Sequence, residues 1–133
     1  MMITTHDLFG LAVRLYNDGT VRAEERQMQG DLDGWTIAAF HVHSQQDVHP
    51  DHWEMHPGAD EAVCVLTGGI HLFLRPQAPG DEEEMTAVAA GRLVVVPRGR
   101  WHRLELDGPS DLMSITLRRG SQLQQRADTN GPR

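Results

Sequence analysis

Gly91-Arg92-Leu93-Val94-Val95-Val96-Pro97-Arg98-Gly99-Arg100-Trp101-His102 is the stretch that decides the fold. Leu93 to Val96 are four branched apolar residues in a row, the composition of a buried strand. Gly91 turns the chain into that strand, and Pro97 ends it because proline has no N–H to give to a ladder. Gly99 permits a tight reversal. Trp101 to Leu106 then returns as the next strand, with His102, Leu104 and Leu106 on its inward face. The unit is antiparallel, and it places a histidine at the start of the return strand.

Working outward, the same punctuation recurs. Leu11 to Tyr16, the turn Asn17-Asp18-Gly19 and Thr20 to Glu24 read as a hairpin, since Asp-Gly between strands supplies the backbone a tight turn needs. Trp35 to His43, Asp51 to His56, Glu61 to Thr67, Ile70 to Arg75, Met85 to Ala89 and Leu112 to Leu117 complete a series of short strands bounded by Gly, Pro, Asn or Asp. Such a series describes an all-β sandwich or barrel of antiparallel strands, one domain over residues 1–133. No internal repeat, heptad or long helix interrupts it. Residues 118–133 form a polar C-terminal tail, whose last residues are expected to be mobile.

Trp53-Glu54-Met55-His56-Pro57-Gly58-Ala59-Asp60-Glu61 carries the second cluster of chemistry. Alternation puts Glu54 and His56 on one face, with Trp53 and Met55 on the other. A hairpin closed by the four-residue turn would set His56 opposite Glu61, with Cβ atoms about 5 Å apart, and Glu54 opposite Val63. An imidazole and a carboxylate so placed both reach a divalent first-row ion at about 2.0–2.2 Å. The plainer alternative is a surface His–Glu pair across two strands.

These two stretches, x-E-x-H-x4-E-x6-G with Glu54, His56, Glu61 and Gly68, and G-x5-P-x-G-x2-H with Gly91, Pro97, Gly99 and His102, resemble the paired motifs of the cupin superfamily. The second matches at every position up to the histidine, a coincidence on the order of one in a thousand at ordinary residue frequencies. Three positions depart from the family pattern: Glu54 stands where the first histidine is usual, Val48 where the first glycine is, and Leu106 where the final asparagine is. The resemblance spans residues 35–117. It implies a double-stranded β-helix, or jelly-roll, barrel that holds one divalent transition metal through His56, Glu61 and His102. Glu54 fills the remaining position, either as a fourth ligand or as a catalytic group that handles protons. With Glu54 bound the donor set favours manganese or iron, with nickel and zinc open; without it, two histidines and one carboxylate leave coordination positions free.

By the same resemblance the expected function is a metal-dependent enzyme acting on a small organic molecule inside the barrel, with dioxygenation first and isomerisation or decarboxylation after it. A non-catalytic small-ligand binding or sensing domain is the alternative from another class. A homodimer is implied, because stand-alone members often pair sheets. His41 and His43 are expected to line the cavity as substrate contacts. His49 and His52 fall at the barrel mouth or in solvent. Trp35, Trp53 and Trp101 are expected as apolar anchors, and Arg98, Arg100 and Arg103 as solvated cations.

Composition excludes other classes. A formal charge of −7 with no cluster of Lys or Arg argues against nucleic acid and against an anionic membrane surface. Cys64 is the single cysteine, so no internal disulfide forms, and its apolar neighbours predict a buried thiol. Met1 to Asp7 lacks the basic start and apolar core of a secretory signal, which makes a cytoplasmic protein the expectation.

Overall fold

The computed structural model describes residues 2–27 and 30–126. Eleven strands are present among them: β1 (Ala12–Leu15), β2 (Val21–Glu24), β3 (Trp35–Val42), β4 (His52–Met55), β5 (Glu61–Thr67), β6 (Gly69–Leu74), β7 (Glu84–Ala89), β8 (Leu93–Val96), β9 (His102–Leu106), β10 (Ser110–Thr116) and β11 (Gln122–Gln125). They form two antiparallel sheets, ordered β2-β1-β3-β10-β5-β8 and β11-β4-β9-β6-β7. The all-β jelly-roll expectation holds. No helix among the described residues is long and apolar enough to cross a membrane.

The two sheets face each other across one apolar core, in which Val65, Ile70, Leu72 and Val96 are almost wholly buried. Two layers are required because each strand's inward face carries the branched apolar residues that the alternation predicts. Gly68 takes the chain from one layer to the other. Its φ of +82° is left-handed, and a Cβ added there would lie 2.7 Å from the Pro109 carbonyl oxygen, so only glycine fits.

Two expectations are corrected here. β4 and β5 do not form a hairpin: β4 lies between β11 and β9, and β5 lies between β10 and β8 in the opposite sheet. Val63 accordingly pairs with Val94 and Ser114, and Glu54 pairs with His102. The link over 57–60 crosses between sheets because its hydrogen bonds go to the β8–β9 loop. The Gly99 N–H donates to the His56 carbonyl at 2.9 Å, and the Arg98 N–H donates to the Asp60 carboxylate at 2.9 Å. Burial of Ala59 holds the crossing in place.

The second correction concerns the tail. Gln122–Gln125 form β11, in register with His52–Met55 of β4. Polar composition hid this edge strand, whose side chains are exposed while its backbone completes the sheet. Residues 127–133 lie outside the described residues. With β1, β2 and β11 included, the sheets extend beyond the 35–117 region on both sides.

Candidate metal centre

Both sheets contribute to one cluster at the end of the core. Glu54 lies on β4, His102 opens β9 beside it, Glu61 opens β5 in the facing sheet, and His56 sits on the crossing link. One ligand atom from each of the four lies within 4.8 Å of all the others. His102 Nε2 is 3.1 Å from Glu61 Oε1 and 3.7 Å from Glu54 Oε1, while His56 Nε2 is 3.4 Å from both carboxylates. His56, Glu61 and His102 are buried, whereas the Glu54 side chain is 41% exposed.

The far side of each ring is held. His102 Nδ1 lies 3.2 Å from the Arg100 carbonyl, which only accepts, so Nδ1 carries the proton of that bond. His56 Nδ1 lies 2.7 Å from Ser121 Oγ. Both Nε2 atoms are thereby turned toward the carboxylates, the arrangement that orients metal-binding histidines.

Four ionisable groups in one buried place set each other's charge. Burial works against charge on all of them, and the mutual attraction outweighs it. Contact with His102 and His56 lowers Glu54 and Glu61 well below the usual carboxylate range. Contact with Glu54 and Glu61 raises His56 to about 9 and His102 to about 10. The cluster without an ion is therefore two imidazoliums and two carboxylates.

Four observations fit a divalent ion. His56 Nε2 is buried with no hydrogen-bond partner. Its 3.4 Å separation from the carboxylates exceeds the roughly 2.7–2.9 Å of a charge-assisted hydrogen bond. Yet 3.1–3.7 Å overlaps the edge of a coordination polyhedron, about 3.0–3.4 Å for ligands at about 2.1 Å from one centre. Two imidazoles and two carboxylates are also the donor types that such ions take.

A cavity of about 340 Å³ opens from the cluster. Its walls are mostly apolar, with Phe40, Val42 and Val63 from one sheet and Leu104 and Leu123 from the other, and Asp47, Arg103 and Arg118 also line it. His41 and His43 do not line it, which corrects their expected role. Along β3 the even-numbered residues point inward, so Phe40 and Val42 face the cavity and the two histidines face out. His41 instead pairs with Asp111 at 2.6 Å and stacks on Phe9 at 3.8 Å.

His49 and His52 do line the cavity. Arg103 is buried rather than solvated, with its guanidinium 4.0 Å from the Phe73 ring centre and 3.4 Å from Glu83. Trp53 is buried as an anchor should be, while Trp35 and Trp101 are half-buried. Ser121 escaped the sequence reading. A serine in a polar stretch gives no signal until β11 brings it to His56.

The fold is shared with solved structures at low sequence identity. A cupin-2 domain protein from Shewanella frigidimarina is 17% identical, with a TM-score of 0.50 over 71% of this chain and 84% of that one. Peruvianin-I, a cysteine peptidase from Thevetia peruviana latex, is 17% identical, with a TM-score of 0.52 over 69% of this chain and 56% of that one. Oxalate decarboxylase of Bacillus subtilis, which has Mn(II) centres, is 18% identical, with a TM-score of 0.50 over 66% of this chain and 23% of that one. This chain thus spans most of the first, about half of the second and about a quarter of the third. No family model and no curated protein sequence matches the chain. The architecture of two facing antiparallel sheets is thus shared with the cupin-2 domain protein and with part of oxalate decarboxylase.

Proposed function

We propose that the protein is a metal-dependent enzyme that binds one divalent transition metal ion per chain through Glu54, His56, Glu61 and His102, and transforms a small organic molecule in the adjoining cavity. Dioxygenation is the first reaction class. The observation that carries this reading is the convergence of four donor atoms within 4.8 Å at the floor of a mostly apolar cavity. An ion held there supplies Lewis-acid polarisation of a substrate oxygen and, if redox-active, electrons for dioxygen.

The chain's own residues do the rest. His56, Glu61 and His102 are buried and held from behind, which makes them the fixed part of the site. Glu54 is the adaptable part: at 41% exposure it reaches both the cluster and the cavity. A carboxylate in that position holds or moves a proton at a substrate oxygen. Phe40, Val63 and Leu104 exclude water from the reacting centre. Two carboxylates balance the ion's charge, and such hard donors favour manganese or iron. The Mn(II) centres of the similarly folded oxalate decarboxylase agree with that preference.

The test has two parts. Protein purified without a polyhistidine tag is expected to hold about one equivalent of metal, and His102→Ala much less. Oxygen uptake is then measured with catechols, enediols and thiols. A metal-loaded protein that is stabilised against melting by such compounds but turns none of them over would be a sensing domain, and the enzymatic reading would fail.

A further inference from the structure

The two histidines that turn away from the cavity lie together on the outer face of their sheet. His41 and His43 flank Val42, which is buried in the core, while both histidines are exposed. Alternate residues of a strand stand about 7 Å apart. Two imidazoles span that separation when each reaches about 2.0–2.1 Å to one ion. No other pair of histidines in the chain has this spacing.

His41 is already set for such a role. Its Nδ1 lies 2.6 Å from Asp111 Oδ1, across the ladder between β3 and β10. An ionised carboxylate only accepts, so in the neutral ring Nδ1 carries the proton and Nε2 keeps the lone pair that a metal takes. Asp111 is itself fixed, because its Oδ2 accepts from the Thr67 hydroxyl at 3.0 Å. Phe9 stacks on the ring at 3.8 Å and 9°, which holds the ring plane and leaves its edge open. The charge around His43 has the sign a cation needs. Backbone N–H bonds from His43 and Ser44 hold Asp47 below its usual range, and the His41 contact does the same for Asp111. The nearby charge of His43 adds to both. His71 supplies the contrast. Its Nδ1 meets Asp107 Oδ1 at 2.7 Å, but Gly69 and Phe73 stand two residues to either side, so it has no second imidazole.

We propose that His41 and His43 form a second metal site, which takes one divalent ion of the kind that favours imidazole, Ni2+, Cu2+ or Zn2+, with Asp111 supporting His41 from behind. Water fills the remaining positions. Two neutral imidazoles select differently from the two-carboxylate cluster, and manganese, which prefers oxygen donors, is not held here. The site lies on the opposite side of the sheet from the cluster of Glu54, His56, Glu61 and His102, and it does not depend on the reading of that cluster.

Metal-free protein without a polyhistidine tag is dialysed against Ni2+, and the bound nickel is counted. Two equivalents are expected. His43→Ala should lose one, His102→Ala the other, the double variant both, and His71→Ala neither. Mn2+ should stop at one equivalent and leave it in place in His43→Ala. Asp111→Asn should weaken the His43-dependent equivalent by about tenfold or more. Because Ni2+ is paramagnetic, that equivalent should broaden the amide signals of Phe9, Val42 and Thr67 before others. His43 is exposed and lies just past the end of β3, so His43→Ala should melt as the unaltered protein does. A nickel count that His43→Ala leaves unchanged, a loss as large in His71→Ala, or broadening centred elsewhere would overturn the proposal. Failure of the cluster reads differently: the unaltered protein then holds one equivalent, which His102→Ala keeps and His43→Ala removes.

Discussion

Loading the metal centre must expel two protons. His56 and His102 stand at about 9 and about 10 in the metal-free protein, so both rings are imidazolium at neutral pH. A ring nitrogen that carries a proton has no lone pair to offer an ion. Both Nε2 atoms face the carboxylates, so neither ring can bind without losing that proton. Affinity must therefore rise with pH, by about a hundredfold per unit between pH 6 and 8, because each displaced proton contributes about tenfold per unit. Calorimetric titration of Mn2+ into metal-free protein, repeated in buffers of different ionisation heat, counts the protons directly. A count near two is expected. A count below one would mean that the rings are already neutral, and would refute the reading that four mutually charged side chains share one cluster. The stability of the metal-free protein carries the same signature. The raised histidines stabilise fully below their ordinary 6.5, and that contribution is lost as pH rises through about 9 and about 10. The lowered carboxylates stabilise above their ordinary 4.5, and that contribution is lost as pH falls. Melting temperature should therefore peak between these ordinary values when no metal is present.

The remaining predictions address the supports of the site. Ser121→Ala removes the group 2.7 Å behind His56, and should weaken metal binding about tenfold or more, with little change in melting temperature, as read by competition with a chromophoric chelator. Gly68→Ala forces a side chain into left-handed backbone against Pro109, and should cost about 2 kcal/mol or more in urea unfolding. Gln45→Ala strips both hydrogen bonds from the Leu106 backbone, costing about 1–3 kcal/mol and increasing proteolysis in the loop that bears His49. Metal at a thousandfold excess over its dissociation constant should stabilise the protein by about 4 kcal/mol, an increment that chelator dialysis removes from the melting curve.

The parts of the molecule that were legible in the sequence share one property: the signal lies within a few neighbouring residues. Gly91, Pro97 and Gly99 punctuate the chain locally, and strand β8 and the start of β9 follow from them. Asp18-Gly19 closes the first hairpin for the same reason, with Asp18 accepting hydrogen bonds from Thr20. The errors arose where distant partners decide. Pro57 to Asp60 has the composition of a hairpin turn, but its hydrogen bonds are drawn off by residues 98 and 99, which are some forty positions away in sequence. Alternation along β3 leaves either face free to turn inward, and the bulk of Phe40 and Val42 settles the matter once a facing sheet exists. Gln122 to Gln125 carry a single apolar residue, Leu123, too little for a strand signal; β11 forms because β4 offers an unpaired edge. The four clustered residues were nevertheless legible, because glycine and proline spacing fixes where a motif histidine stands in its strand, even when the strand's neighbour is misassigned.

The carboxylate of Glu54, in the position where the family pattern has an imidazole, changes the chemistry as well as the geometry. A third imidazole would leave a divalent ion with one surplus positive charge, whereas Glu54 and Glu61 together cancel it. An ion surrounded by two carboxylates is a weaker Lewis acid toward water, because the donors already supply negative charge. It is also easier to oxidise, because the same charge stabilises the higher oxidation state. Both effects weigh against simple water activation and toward reactions in which electrons leave the metal centre. The mostly apolar walls reinforce that balance, since the low local dielectric lengthens the reach of each carboxylate's charge. Glu54 is also the least buried of the four, so the charge that tunes the site is the one an incoming ligand can displace. Were an ion bound, Glu54 would be the ligand that an incoming anion reaches first, because its side chain lines the cavity and is the most exposed of the four.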